Sequence, residues 1–267
     1  MARPLEGKSA LVTGASGGIG AAAAIRLAEM GATVVAHGRN VERTEAAAAA
    51  VRKIGGIAHV VTGSLSTDED AASVIDGVRA AVGTIDVLVN NAGGDTGEGG
   101  TAPWFEVSAA QWVATYDANV GSMIRMTRAF TPEMRDRGWG RIILLSSGVV
   151  DAPMAMIPDY QAAKAAIRNL ARTLMKALTR TGITVNSISP GFILTDHNSV
   201  WVKTMAERSG IDPSDWAAVE TWAKRKLVPV ASNRLGRPDD IATVIAFLAH
   251  PDQSYVNGID IQVDGGH

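Results

Sequence analysis

Residues 9–20, SALVTGASGGIG, place a short apolar run directly before a glycine-rich turn that opens into a helical pattern. In dinucleotide-binding α/β proteins, the order strand, glycine turn and helix presents backbone N–H groups and a helix N-terminus to a pyrophosphate. A glycine cluster by itself fits a plain tight turn equally well. The spacing of Gly14, Gly18 and Gly20 is G-x-x-x-G-x-G, which differs from the general fingerprint G-x-G-x-x-G. The stretch predicts a first βα unit and, as a hypothesis, a nucleotide site.

The same alternation of strand and helix patterns continues along almost the whole chain. Short β-branched runs predict strands, and segments with apolar residues at helical spacing predict the helices between them. We expect strands at 9–13, 33–37, 57–62, 85–89, 141–146, 183–188 and 259–263, and helices at 19–30, 41–54, 68–82, 108–137, 159–181 and 238–249. The pattern predicts one doubly wound Rossmann-type α/β domain over residues 1–267, with a seven-stranded parallel sheet and helices on both faces.

One long connection interrupts this alternation. Residues 192–234 contain no predicted strand, and so long a connection within a domain is usually functional. Asp212, Pro213 and Asp215 are typical of an N-cap, a first-turn proline and a carboxylate at the third helical position. They predict an inserted helix that carries Trp216 and Trp222. We interpret residues 192–234 as a substrate lid.

The chain of 267 residues is nearly neutral, with 25 Lys and Arg, 27 Asp and Glu, and a formal net charge of −2. It lacks the basic field that a nucleic-acid backbone or an anionic membrane requires. The sequence predicts neither a membrane span nor a signal peptide. It has no cysteine, and its five histidines lack metal-ligand spacing. We expect a cytoplasmic protein that binds no metal, nucleic acid or membrane, and whose redox chemistry would need a bound cofactor.

Further motifs follow the predicted strands in chain order. They are Asn90-Asn91-Ala92-Gly93 after the fourth strand, Asn119 in the next helix, Ser147 at the end of the fifth strand, Tyr160 and Lys164 in the spacing Y-x-x-x-K, and Pro190-Gly191 after the sixth strand. With T-G-x-x-x-G-x-G at 13–20, this series resembles the classical short-chain dehydrogenases/reductases, especially the 3-oxoacyl-acyl-carrier-protein reductases. The resemblance includes 234–242 and 263–266 and so covers nearly the whole chain.

Tyr160 and Lys164 lie one helical turn apart, so an ammonium group can lower the phenol pKa from about 10 and make the tyrosine a usable acid or base. The alternative is an exposed hydrogen-bonding pair. Ser147 lies at the carboxyl end of a strand, where open α/β sheets bind ligands, and could hold a substrate oxygen. Ser146 competes with it, because strand alternation turns only one of the two toward a cleft. The serine-to-tyrosine spacing of the family favours Ser147.

The resemblance implies further roles. Lys164 would stabilise the tyrosinate and bond the nicotinamide ribose, while Asn119 would hold a water in a proton relay; the alternative for Asn119 is an amide bonded to backbone. The expected catalytic residues are Asn119, Ser147, Tyr160 and Lys164. Cofactor contacts are expected at Gly14, Ser16, Gly18, Ile19, Gly20, Arg39, Asn40, Ser64, Leu65, Asn91, Ala92, Gly93, Tyr160, Lys164, Pro190, Gly191, Ile193 and Thr195.

The choice of cofactor is predicted from residues 37–40, HGRN, at the end of the second strand. NAD-binding members usually place a carboxylate at the position of Gly38, where it would repel a 2′-phosphate. Arg39 and Ser16 suit that phosphate, although Arg39 could instead be a solvated surface residue. We expect NADP(H), with NAD(H) as the alternative. Ser64 stands where the family commonly has an aspartate, which weakens any inference about the adenine.

The predicted function is an NADP(H)-dependent reductase of ketones, of the 3-oxoacyl type, or a secondary-alcohol dehydrogenase. The alternatives are an NAD-dependent alcohol, sugar or steroid dehydrogenase and, more remotely, a non-catalytic nucleotide sensor. Substrate specificity is expected in residues 95–106 and in the lid. Candidates for lining the pocket are Trp104, Met154, Met156, Trp201, Trp216 and Trp222, all of which could instead be packing residues.

The resemblance also implies a homotetramer. The apolar faces of helices 108–137 and 159–181 and the edge of the last strand could be covered by partner subunits. The alternative is that these apolar faces only contact the parent sheet.

Overall fold

The sheet consists of seven parallel strands in the computed structural model, which describes residues 3–94 and 102–266. The strands are β1 (Ser9–Val12), β2 (Thr33–Gly38), β3 (Ile57–Thr62), β4 (Val87–Asn90), β5 (Gly140–Leu145), β6 (Ile183–Pro190) and β7 (Asp260–Val263). Their order across the sheet is β3-β2-β1-β4-β5-β6-β7. The predicted seven-stranded sheet is confirmed. Several ends shift by one or two residues, because pairing with neighbouring strands decides where a strand ends.

Helices cover both faces of the sheet, as predicted. They are α1 (Gly18–Glu29), α2 (Val41–Lys53), α3 (Asp68–Val82), α4 (Ala109–Tyr116), α5 (Ser122–Asp136), α6 (Pro158–Ala177), α7 (Asp196–Arg208), α8 (Trp216–Trp222) and α9 (Pro238–Ala249). One face packs against α1, α2 and α9, and the other against α3, α5 and α6. Strand alternation separates the two cores: Ala10 and Val12 of β1 face the first, and Leu11 faces the second.

The segment predicted as one helix over 108–137 has three parts. Ser108 caps α4 by accepting a hydrogen bond from the backbone N–H of Gln111 at 3.2 Å. A π-helical turn, Asp117–Gly121, then joins α4 to α5, and the residues on both sides of it keep right-handed helical dihedral angles. Such turns add a residue to the helical repeat and often mark functional sites. This one carries Asn119.

The predicted lid, residues 192–234, contains two α-helices rather than one, and a π-helical turn, Ala223–Leu227, directly follows α8. The helix α7 was not predicted, and the prediction of Asp212 as the N-cap of α8 is wrong. Asp215 is the N-cap and accepts a hydrogen bond from the N–H of Ala218 at 3.1 Å, whereas Asp212 accepts from the N–H of Ser214 at 2.8 Å in the turn before the helix.

The lid segment has a hydrophobic core of its own. Val202, Val219 and Leu235 are buried in it, and Trp201, Trp216 and Trp222 pack partly buried around them. These three tryptophans therefore follow the packing alternative that the sequence left open.

No helix in the described ranges is long and apolar enough to cross a membrane. Within the same residues, no group of three or more His, Asp or Glu side chains is placed to hold a metal ion.

Candidate functional site

A cleft of about 390 Å³ lies at the carboxyl ends of the parallel strands. It crosses the point between β1 and β4 where the strand order reverses, which is where open α/β sheets bind ligands. Its lining comprises Gly14, Ser16, Gly17, Gly18, Ile19, His37, Gly38, Arg39, Arg43, Asn91, Ala92, Gly93, Gly94, Leu145, Ser146, Ser147, Tyr160, Lys164, Pro190, Thr195, Asp196 and His197. Thirteen of these residues are among the predicted site residues.

The glycine loop forms one wall of the cleft and leads into α1. Gly14 has a φ of +68°, a left-handed conformation that glycine adopts without a steric penalty. A Cβ atom on Gly20 would collide with the carbonyl oxygen of Gly14, so Gly20 allows α1 to pack closely against the loop. Gly17, the N-cap of α1, has no side chain to bond the first N–H groups of the helix, and its first turn contains no acidic residue. The loop therefore presents backbone donors to an anion.

Thr13 and Asn91 hold this loop against the end of β4. The Thr13 hydroxyl oxygen accepts hydrogen bonds from the backbone N–H groups of Asn91 and Ala92, each at 3.0 Å. The Asn91 side-chain amide donates to the carbonyl oxygens of Thr13 at 2.9 Å and Gly14 at 3.1 Å. The Asn91 side chain thus stabilises the conformation of the glycine loop.

Two arginines that follow β2 give this end of the cleft its positive charge. Arg39 is exposed, and Arg43 follows one helical turn later in α2. A Cβ atom on Gly38 would collide with the Thr44 hydroxyl and lie 3.0 Å from Cβ of Ser16, so a carboxylate side chain does not fit at Gly38.

His37 adds no charge to this end of the cleft. Its Nε2 lies 3.2 Å from the carbonyl oxygen of Gly63, and burial lowers its pKa to about 4. The imidazole is therefore neutral near pH 7.

Tyr160 and Lys164 lie at the opposite end of the cleft, in the first two turns of α6. The Lys164 ammonium is 5.4 Å from the centre of the Tyr160 ring and donates a hydrogen bond to the carbonyl oxygen of Leu145 at 2.9 Å. Lys164 is almost completely buried, and this burial lowers its pKa to about 8. The cation is thus held beside the phenol at a cost to the folded state.

The two adjacent serines use their hydroxyl groups differently. Ser146 is buried, and its hydroxyl donates to the backbone carbonyl of Lys164 at 2.9 Å. Ser147 is half-buried, and its oxygen accepts from the N–H of Val149 at 3.4 Å. A hydroxyl that accepts one bond still has its proton to donate. Ser147 therefore fits the role of holding a substrate oxygen better than Ser146 does.

Asn119 lies outside the cleft lining, behind Gly93 and Gly94. Its amide nitrogen donates to the carbonyl oxygens of Gly94 at 2.7 Å and Thr115 at 2.8 Å, and its oxygen accepts from the N–H of Gly94 at 3.0 Å. These contacts match the alternative of an amide bonded to backbone. A role in a proton relay stays a prediction.

Other predicted cofactor residues also lie outside the lining. They are Gly20, Asn40, Ser64, Leu65, Gly191 and Ile193. The Asn40 side chain caps α2 by accepting from the N–H of Arg43 at 2.8 Å, and Ser64 bonds to Ser66. Leu65 and Ile193 are buried. A Cβ atom on Gly191 would lie 2.6 Å from Cα of Asp264, so Gly191 permits close backbone packing.

Several residues of the lining were not predicted, and among them Arg43, Asp196 and His197 carry exposed polar side chains. The position of Arg43 near Arg39 could have been predicted, because it lies four residues after Arg39 at the start of a predicted helix. None of the six predicted pocket aromatics and methionines lines the cleft. Most of the predicted specificity loop, 95–106, lies outside the described residues.

Comparison with known proteins agrees with this architecture. The family model described as short chain dehydrogenase matches residues 8–206. L-sorbose reductase from Gluconobacter frateurii, complexed with NADPH and L-sorbose, is 32% identical, with a TM-score of 0.89, 100% of this chain and 98% of that chain covered.

Two further solved structures are similar over nearly their whole length. A 3-oxoacyl-(acyl-carrier-protein) reductase from Agrobacterium tumefaciens C58 with NADP bound is 30% identical, with a TM-score of 0.85, covering 99% of this chain and 96% of that one. A 7α-hydroxysteroid dehydrogenase complexed with NADH and 7-oxo glycochenodeoxycholic acid is 32% identical, with a TM-score of 0.83, covering 99% and 95%. With the matching family model, these likenesses show that the chain belongs to the short-chain dehydrogenase family and is an oxidoreductase.

Proposed function

We propose that this oxidoreductase uses NADP(H) to interconvert a ketone and a secondary alcohol, and that Ser147, Tyr160 and Lys164 carry the proton chemistry. The observation that supports this most is the arrangement of one cleft: the glycine loop and Arg39 lie at one end, and Tyr160 with its buried lysine at the other. A bound nicotinamide cofactor supplies or accepts the hydride.

The residues of the cleft fit such a cofactor. Gly14 and Gly17 line the cleft at the N-terminus of α1, where backbone N–H groups can bind phosphate oxygens, and Arg39 and Arg43 supply positive charge. Lys164 lies beside Gly93 at the far end, 3.5 Å from where a Cβ atom on that glycine would stand. An anionic dinucleotide would therefore find cations at both ends of the cleft and backbone donors at the glycine loop.

The chain's own residues divide the proton chemistry between them. In reduction, Tyr160 donates its phenolic proton to the substrate oxygen, and in oxidation it accepts that proton. Ser147 donates a hydrogen bond to the same oxygen and fixes its position. The charge of Lys164 stabilises the phenolate that Tyr160 becomes.

The proposed function is tested by titrating the purified chain with NADPH and NADH and then measuring oxidation of the bound cofactor with a panel of ketones. The panel includes 3-oxoacyl thioesters, cyclic ketones, oxo-steroids and keto-sugars. Turnover with at least one class supports a ketone reductase. A preference for NAD(H) with alcohols, sugars or steroids would favour the alternative dehydrogenase, and tight binding without turnover would favour a nucleotide sensor.

For cofactor choice, we expect Arg39→Ala to weaken NADPH binding by about ten- to hundredfold, because one charge-assisted contact with the 2′-phosphate is lost. Affinity for NADH, which lacks that phosphate, should change less than about twofold and is the internal control. Dissociation constants are measured from the fluorescence of the bound reduced nicotinamide. An unchanged NADPH constant would make Arg39 a solvated surface residue.

We also propose a homotetramer of single-domain subunits. Val113, Tyr116 and Ile124, on α4 and α5, expose 70%, 46% and 38% of their surface, and β7 pairs with β6 alone within the described sheet. Partner subunits would cover both surfaces. Light scattering at micromolar concentration should give four times the 27.8 kDa mass of the chain. A monomer mass would refute the oligomer, and twice the chain mass would limit it to a dimer.

A further inference from the structure

We propose that Arg43 and Asp196 form a clasp over the glycine loop, in which the Arg43 guanidinium leaves Asp196 to bind the diphosphate of the cofactor. The clasp rests on the proposed function, because it needs a dinucleotide in the cleft. It assigns to Arg43 a role in binding NAD(H) and NADP(H) alike, separate from the role of Arg39 in choosing between them.

The first observation is the position of the Arg43 side chain. Arg43 lies in the first turn of α2, where Asn40 caps its backbone N–H. Its guanidinium nitrogen stands 2.8 Å from the point where a Cβ atom on Gly17 would lie. The guanidinium thus lies directly against position 17 and would have to move if that residue carried a side chain. Because Gly17 is the N-cap of α1, Arg43 lies against the same helix end whose backbone donors face the cleft.

The second observation is what lies on the other side of this helix end. Asp196 is the first residue of α7, and its carboxylate oxygen is 3.9 Å from the guanidinium nitrogen of Arg43. Thr195, the N-cap of α7, stands close to Gly18, with its methyl carbon 2.9 Å from the point where a Cβ atom on Gly18 would lie. Residues of α2 and α7 therefore meet over the N-terminus of α1.

The Arg43–Asp196 ion pair is weak enough to exchange. The side chains of Arg43 and Asp196 are 61% and 93% exposed, and such pairs contribute little to stability in water. A diphosphate offers the guanidinium two or more charged oxygens in a geometry that suits bidentate hydrogen bonds. The exchange therefore favours the cofactor, and Asp196 is the weak partner that Arg43 leaves.

The location separates Arg43 from Arg39. Arg39 directly follows Gly38 at the end of β2, on the side of the cleft where the 2′-phosphate is proposed. Arg43 faces Gly17, at the helix end that suits a pyrophosphate. NAD(H) and NADP(H) share the diphosphate, so loss of Arg43 should affect both cofactors equally.

The test compares Arg43→Gln with Lys53→Gln, which removes one positive charge from an exposed position on the same helix. Dissociation constants for NADH and NADPH are measured by nicotinamide fluorescence without substrate, at several salt concentrations. We expect Arg43→Gln to weaken both cofactors by about tenfold and to reduce the salt dependence of binding, while Lys53→Gln stays within about twofold of the wild type. Arg43→Lys should restore part of the affinity.

Each other outcome overturns the clasp. Loss of NADPH affinity alone would place Arg43 at the 2′-phosphate, and unchanged constants for both cofactors would leave it a surface ion pair. Equal losses in Arg43→Gln and Lys53→Gln would show a general charge effect. If the wild type binds neither cofactor, both the proposed function and the clasp are wrong. The wild-type titration is done first, so this outcome is distinguished from failure of the clasp alone.

Discussion

Tyr160→Phe is expected to lower kcat by about 10²- to 10⁴-fold, the usual contribution of a positioned general acid or base. The substitution removes the phenolic hydroxyl and almost no volume, so the ring keeps its place near Lys164 and the fold is preserved. Cofactor affinity should change little, because the glycine loop and the arginines of the cleft are untouched. Steady-state kinetics and fluorescence titration of NADPH measure the two effects separately.

Tyr255→Phe is the matched control for this prediction. It makes the same chemical change at a tyrosine that is fully exposed and outside the cleft lining. Its kcat should equal that of the wild type. If Tyr160→Phe also kept a near-normal kcat, another group would have to supply the proton, and the proposed role of Tyr160 would be wrong.

The sheet could be predicted from the sequence because each strand and helix follows a simple periodicity. A continuous β-branched run is what a strand buried on both faces requires, as at Val34 and Val35 of β2. The π-helical turn at 117–121 could not be predicted in this way, because one added residue hardly disturbs the apolar repeat of a long helix. The helix α7 was missed because its polar sequence, DHNSVWVKTMAER, has only a weak apolar face.

Residues of the candidate site could be predicted where their positions depend on spacing along a single helix or strand. Tyr160 and Lys164 share a helix, and Ser147 lies two residues after the end of β5, so their positions at one end of the cleft follow from the order of the elements. Contacts between segments that are distant in the sequence cannot be predicted from spacing along one element. Arg43 meets Asp196 because α2 and α7 both begin beside the glycine loop. Asn119 meets Gly94 because the π-helical turn packs behind the end of β4.

The cost of burying Lys164 should be visible in the stability of the cofactor-free protein. The pKa of Lys164 falls from 10.5 to about 8 because burial disfavours its charged form. Between these two values the unfolded chain binds more protons at this site than the folded chain does, so folding becomes more favourable as the pH rises. Below pH 8 the folded state carries the full penalty of the buried charge, and above pH 10.5 it carries none.

Lys164→Met removes this titration, so the wild type should gain about 2 to 3 kcal/mol of unfolding free energy relative to the variant between pH 7 and pH 10, at about 1.4 kcal/mol per pKa unit. Urea denaturation of both proteins across that range measures the change. Lys176→Met, an exposed lysine on the same helix, is the control and should keep a constant difference from the wild type. A constant difference for Lys164→Met as well would contradict the lowered pKa. Lys164→Met should also lose turnover, because it removes the cation that stabilises the Tyr160 phenolate. A protein is expected to keep a buried charge that destabilises its fold where its activity requires that charge.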